Sequence, residues 1–189
     1  MRFAERGYDS IAIDYFGRTA GVGKRGSEFP FRDHVAQTKA SQVTADVAAA
    51  VAQLRSGTSN ASRATFTVGF CFGGSGSWLQ AAGGHKLAGA IGFYGNPTRP
   101  GRDGSPSVVD RAPEFRCPVL GLMGGADDGI PAADISKFEQ ALSAAKVKHE
   151  IKTYPGAPHS FFDRKYEEFA TDSADAWQRV LDFITRNSH

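Results

Sequence analysis

Three residues suited to acyl-transfer chemistry follow one another along this chain, each in a frame that fits its task. Cys71 stands at the centre of Gly69-Phe70-Cys71-Phe72-Gly73-Gly74. Small residues two before and two after a central nucleophile permit the sharp strand-to-helix turn that lifts its side chain above a sheet. Asp127 lies in Gly124-Gly125-Ala126-Asp127-Asp128-Gly129-Ile130-Pro131, and His159 in Tyr154-Pro155-Gly156-Ala157-Pro158-His159-Ser160-Phe161-Phe162. A free thiol has a pKa of about 8.5 and is mostly protonated at neutral pH, so Cys71 needs a partner. His159 fits that role, either removing the proton or stabilising the thiolate as imidazolium. Asp127 would hold the imidazole in the right tautomer and favour its charged form. The expected chemistry is thiolate attack on a carbonyl, a thioester intermediate, and release by a water that His159 activates. The backbone N–H of Phe72, next after the nucleophile, would donate one bond to the oxyanion. The order nucleophile, acid, histidine differs from both of the well-known serine-protease orders.

Such residues must be carried to one place by the elements around them. Ala64-Thr65-Phe66-Thr67-Val68 is rich in β-branched and aromatic residues and predicts a strand entering Cys71, and Ser75 to Ala82 predicts a helix leaving it. Further strands are expected at Tyr8 to Tyr15, Leu87 to Tyr94, Val119 to Met123 and His149 to Tyr154. Val43, Val47, Val51 and Leu54 stripe a helix expected over roughly Asp33 to Arg55. Ile135, Phe138, Leu142 and Ala145 stripe another, and Trp177, Val180, Leu181 and Ile184 the last. Asn96 to Arg116, with four prolines, reads as a long loop that forms either a wall of the site or a tolerated surface insertion. The alternation predicts an α/β fold, a mostly parallel sheet flanked by helices on both faces. Right-handed crossovers would gather the C-terminal strand ends, where Cys71, Asp127 and His159 all fall.

With these frames in place the chain resembles the dienelactone hydrolase family, cysteine-nucleophile members of the α/β-hydrolase fold, over nearly its whole length. The resemblance rests on Asp14-Tyr15-Phe16-Gly17-Arg18, the Cys71 turn, Gly92-Phe93-Tyr94-Gly95, the Asp127 loop and the His159 loop. It implies hydrolysis of a lactone or small activated ester without a metal or organic cofactor. It favours Asp127 over Asp128 as the acid, leaving Asp128 to cap the helix beyond Pro131. It also implies that Arg18 binds a substrate carboxylate, for which a planar guanidinium is well suited. Arg164 is a second candidate ligand, although Asp163 stands where the family carries its arginine. Tyr94 would wall the pocket, offer its hydroxyl, or simply pack. Resembling proteins begin with further strands and a second oxyanion donor, so the chain is expected to be an N-terminally shortened hydrolase with Met1 internal. In the alternative, another chain supplies those strands. Met1 to Gly7 reads as the end of a helix closed by glycine. A general carboxylesterase or thioesterase is the close functional alternative, and a non-catalytic remnant the distant one.

The bulk properties exclude other classes. A chain of 189 residues is expected to form one domain. A net charge of +2, with no basic stripe, gives no sign of nucleic-acid binding. No apolar run approaches the roughly 20 residues that span a bilayer. Two cysteines make no disulfide framework, and the expectation is a cytoplasmic monomer or homodimer acting on a small molecule. Cys117, before Pro118 at a strand start, is expected to be a small buried hydrophobe. His34, His85, His149 and His189 sit in polar or terminal surroundings and are expected at the surface.

Overall fold

The computed structural model describes residues 3–56 and 63–188; Met1 and His189, on which two of the expectations fall, lie outside them. The chain forms two compact units, Met1–Arg63 with Gly101–Ser105, and Ala64–Pro100 with Pro106–His189.

The first unit is helical. A 3-10 turn at Ala4–Arg6 closes on Gly7, whose φ of +80° suits glycine and whose N–H bonds the Ala4 carbonyl at 2.9 Å. The strand expected over Tyr8 to Tyr15 is not formed, because no described neighbour offers those residues a ladder. After the short helix α1 (Gly17–Ala20), the single helix expected over Asp33 to Arg55 is two, α2 (Phe31–Gln37) and α3 (Ala40–Arg55). Thr38 and Lys39 between them are extended, with ψ of 130° and 136°. The Thr38 hydroxyl bonds back to the His34 carbonyl, and Asp103 accepts the Ala40 N–H at 2.8 Å, supplying the start of α3 with a carboxylate cap. Val43, Val47 and Val51 form the buried stripe of α3, as their spacing requires. An open groove of about 400 Å³ in this unit is lined by Ile11, Ile13, Arg18 and Asp46 among others, and by none of Cys71, Asp127 or His159.

The second unit holds the sheet. Its elements run β1 (Phe66–Phe70), α4 (Phe72–Leu79), β2 (Gly89–Phe93), α5 (Val108–Arg111), β3 (Val119–Gly124), α6 (Ala132–Ala144), β4 (His149–Tyr154) and α7 (Ala170–Arg186). The strands lie in the order β1-β2-β3-β4, all parallel, so each pair is joined by a helical crossover. The central strands β2 and β3 are buried along their whole length, which their uninterrupted apolar runs require. Glycines in the sheet show which helix covers which face. A Cβ on Gly92 would meet the Trp78 ring of α4 at 2.4 Å, whereas one on Gly89 would meet Phe183 of α7 at 2.5 Å. Three residues apart on one strand, these positions face opposite sides, so α4 and α7 cover opposite faces. Trp78 is fully buried and donates its indole N–H to the Leu120 carbonyl at 2.9 Å, leaving no polar atom stranded.

The stretch expected as a long loop, Asn96 to Arg116, contains α5 and a 3-10 turn at Ala112–Glu114. Ser107 and Asp110 start α5 with a reciprocal capping box.

Candidate active site

The strand β1 delivers Cys71 at its C-terminal end, and α4 begins one residue later. Cys71 adopts φ 55° and ψ −121°, a conformation in which a residue with a side chain is strained. Its N–H bonds the Phe93 carbonyl at 3.0 Å and its carbonyl accepts from Gly74 at 2.8 Å, fixing the turn from both sides. The glycine frame is a steric requirement: a Cβ on Gly69 would lie 1.8 Å from the Gly73 carbonyl oxygen, and one on Gly74 2.5 Å from that of Phe93. The thiol at the summit is exposed.

The acid and the histidine come from neighbouring strand ends. Gly125 donates to the Tyr154 carbonyl at 2.7 Å and Ala126 to that of Ala157 at 3.0 Å, so the loop after β3 is laced to the loop after β4. The approach is close enough that a Cβ on Gly124 would stand 2.6 Å from the Ala157 oxygen. Asp127 is thereby buried, with 3% of its side chain exposed, and both its oxygens are engaged. Oδ2 meets His159 Nδ1 at 2.6 Å, and Oδ1 accepts the Gly129 N–H at 2.9 Å. The Gly129 bond was not expected from sequence, although an Asp with a glycine two residues later is a common local turn signal. Asp128 is exposed and does not cap α6, whose first turn begins at Pro131 without a side-chain cap.

The electrostatics of Cys71 and His159 answer each other. A hydrogen bond to His159 is the largest influence on the thiol and lowers its pKa; burial opposes this, the His159 charge and the Phe72 N–H add to it, and the Asp163 charge works against it. The His159 pKa is pushed up to about 9, first by the bond to Cys71, against burial, with the bond to Asp127 adding to the rise. Both directions favour a thiolate beside an imidazolium. The Phe72 N–H, at the first position of α4, adds the positive end of a helix. Cys117 is the opposite case, buried and pushed up to about 11 by desolvation alone, as a packing thiol should be.

The remaining expected residues divide. Tyr94 ends β2 with φ 36°, and its ring centre lies 5.0 Å from that of His159. Its hydroxyl is buried, with Asp163 close enough to act on it. Burial first and the nearby Asp163 second hold the phenol firmly protonated. Arg164 is exposed, and its N–H bonds the Asp163 side chain. Arg18, in the first unit, pairs through two nitrogens with Asp46. Of the other histidines, His34, His85 and His149 are half-buried and bonded to Thr19, Gln80 and the Val147 carbonyl respectively, more engaged than surface residues would be. Among the described residues no cluster of three histidine, cysteine or acidic side chains could hold a metal.

An aromatic stack beside the thiol escaped the sequence reading. Phe70 stacks on Phe93 at 4.8 Å and on Phe162 at 5.8 Å, and Phe93 meets Phe162 at 4.5 Å. The phenylalanines on either side of Cys71 were the visible signal; Phe162 comes from a loop 92 residues after Phe70 (162 − 70) and gave none.

Comparison with known proteins identifies the family. Residues 1–188 match the dienelactone hydrolase family. A protein of Escherichia coli (strain K12), named as a carboxymethylenebutenolidase, is 36% identical over 187 residues, 97% of this chain and 68% of the relative. One of Methylorubrum extorquens with the same name is 33% identical, over 97% of this chain and 64% of its own. The chain thus spans about two thirds of the length of these relatives. A crystal structure from Klebsiella pneumoniae subsp. pneumoniae, assigned to dienelactone hydrolase, superposes with a TM-score of 0.79 at 30% identity, over 90% of this chain and 72% of that one. An esterase of Thermogutta terrifontis with propionate bound shares the fold, with a TM-score of 0.61 at 19% identity over 80% of this chain and 65% of its own. The match over nearly the whole length and the shared parallel sheet decide the family: the chain belongs to the dienelactone hydrolase family, and is a hydrolase of the α/β-hydrolase fold.

Proposed function

We propose that this hydrolase cleaves a lactone or small activated carboxylic ester through Cys71, His159 and Asp127, by way of a thioester. The observation that carries the reading is an exposed thiol on a strained strand-to-helix turn together with an imidazole held by a buried carboxylate at 2.6 Å, and the opposed shifts of thiol and imidazole agree with it. The Cys71 sulfur attacks the carbonyl carbon, and the carbonyl π electrons move to oxygen, where the Phe72 N–H donates. Collapse expels the alkoxide, which takes the proton of the His159 imidazolium and leaves the acyl group on sulfur. In a lactone the alkoxide stays tethered as the opened ring. Neutral His159 then takes a proton from water, the resulting hydroxide attacks the thioester, and Cys71 leaves as thiolate beside the restored imidazolium. Asp127 needs no change of protonation, because it keeps Nδ1 bonded and the other ring nitrogen toward the sulfur.

The relatives' name, carboxymethylenebutenolidase, describes an unsaturated lactone bearing a carboxylate. Binding such an anion would fall to Arg18 or Arg164, with Tyr94 as a wall of the pocket. Asp163 precedes Arg164 and opposes an anionic thiol at Cys71, so the charge at this site favours a substrate without a carboxylate. The test is hydrolysis of a dienelactone and of p-nitrophenyl acetate by the chain and by Cys71→Ala. Turnover that falls at least a thousandfold with Cys71→Ala supports the reading; turnover that survives the substitution removes it.

A further inference from the structure

We infer that Phe70, Phe72 and Phe162 form a subsite for an uncharged aryl or alkyl group carried on the substrate's acyl side, resting on the assignment of Cys71 as nucleophile. Phe70 and Phe72 are the chain neighbours of Cys71, whose thiol is exposed between them in sequence. Both are exposed for large hydrophobic residues, Phe70 at 36% and Phe72 at 40%. Phe70 is nevertheless not a loose side chain. Its ring packs on the buried ring of Phe93 and on Phe162, with interplanar angles of 26° and 12°, so it is held in place before any ligand arrives. A preformed aromatic face next to a reacting atom is the usual construction of a small-molecule subsite. It binds rings by stacking and alkyl groups by burial. It has no donor for a carboxylate, and desolvating an anion against it is unfavourable. The Asp163 carboxylate acts on the thiol by opposing thiolate formation and would repel a second anion.

Alkylation of Cys71 reads this subsite without depending on ester turnover. The sulfur displaces iodide from an iodoacetamide, forming a carbon–sulfur bond next to Phe70 and Phe72. Three reagents, iodoacetamide, N-phenyliodoacetamide and 4-(iodoacetamido)benzoate, would be timed on the full chain by mass spectrometry of the Cys71 peptide. Each rate would be divided by that for glutathione to remove intrinsic reactivity, and buried Cys117 serves as the slow internal reference. The phenyl reagent is expected to gain about tenfold over iodoacetamide, the scale of one well-placed apolar group, and the carboxylated reagent to lose most of that gain. The phenyl advantage should shrink in Phe70→Leu and in Phe72→Ser, the latter a surface change that leaves the core intact. Equal normalised rates for the three reagents, or a carboxylated reagent as fast as the phenyl one, would overturn the inference. If Cys71→Ala abolishes ester hydrolysis while the three reagents behave alike, only the subsite fails. If hydrolysis survives Cys71→Ala, or no reagent modifies Cys71, the assignment of the nucleophile fails and the subsite with it.

Discussion

At the scale of single residues, the site depends on where one proton rests. A lowered thiol and an imidazole raised to about 9 both favour its resting on His159, which would let the thiolate persist below the pH at which an ordinary thiol ionises. A depressed pKa keeps the anion above its lowered value and loses it only as pH falls through that value; a raised imidazole keeps its charge until pH climbs through about 9. Cys71 alkylation by iodoacetamide should therefore rise less steeply between pH 7 and pH 8 than that of an unperturbed thiol, which accelerates severalfold there. In His159→Ala the same rate should become steeply pH-dependent, with a midpoint at about 8.5 or above. A steep profile in the unsubstituted chain would refute the ion pair. Asp127→Asn removes the charge that holds the ring while keeping its shape, and kcat should fall by on the order of 10²–10⁴ with little change in thermal stability. Cys71, Asp127 and His159 were legible in the sequence because glycines frame all three loops and their order is informative. The Gly129 bond and the Phe70 stack were less so, since a bond or a stack depends on where a loop finally lands.

At the scale of elements, legibility followed how local the cause was. The strands and helices after residue 64 declare themselves by apolar runs and stripes, and each forms within a few residues of its expected place. Tyr8 to Tyr15 carries the pattern of a strand without forming one, because a ladder belongs to two segments and the pattern belongs to one. The break between α2 and α3 contains neither glycine nor proline and is fixed partly by Asp103, 63 residues beyond Ala40. The start of α5 was the opposite failure: Ser107 and Asp110 were a readable capping box inside a stretch read as loop for its prolines. The sheet's contact with α4 yields a prediction at this scale. Gly92→Ala places a methyl 2.4 Å from the Trp78 ring, which is fixed by its bond to Leu120. Overpacking of this kind should destabilise the chain by about 1–3 kcal/mol, seen as a lower midpoint in urea at unchanged slope. A midpoint equal to that of the unsubstituted chain would mean that Trp78 yields more easily than its burial suggests.

At the scale of the whole molecule, the fold supplies position and the loops supply chemistry. Parallel strands put Cys71, Asp127 and His159 at the same end of the sheet, which is why three residues spread over 88 positions (159 − 71) converge. Among the described residues no helix is long and apolar enough to cross a membrane. Family membership covers residues 1–188 and identifies a hydrolase, whereas its substrate must be argued from side chains. At the site itself the Asp163 carboxylate opposes a negative charge on Cys71, which an acidic lactone would add to. The most direct test of the central claim is mass spectrometry of the chain quenched in acid within its first turnovers of p-nitrophenyl acetate. A thiolate nucleophile predicts one added acetyl group, located on the Cys71 peptide, labile to hydroxylamine and absent from Cys71→Ala. Turnover with no acyl group on Cys71, at an equal rate in Cys71→Ala, would contradict the account.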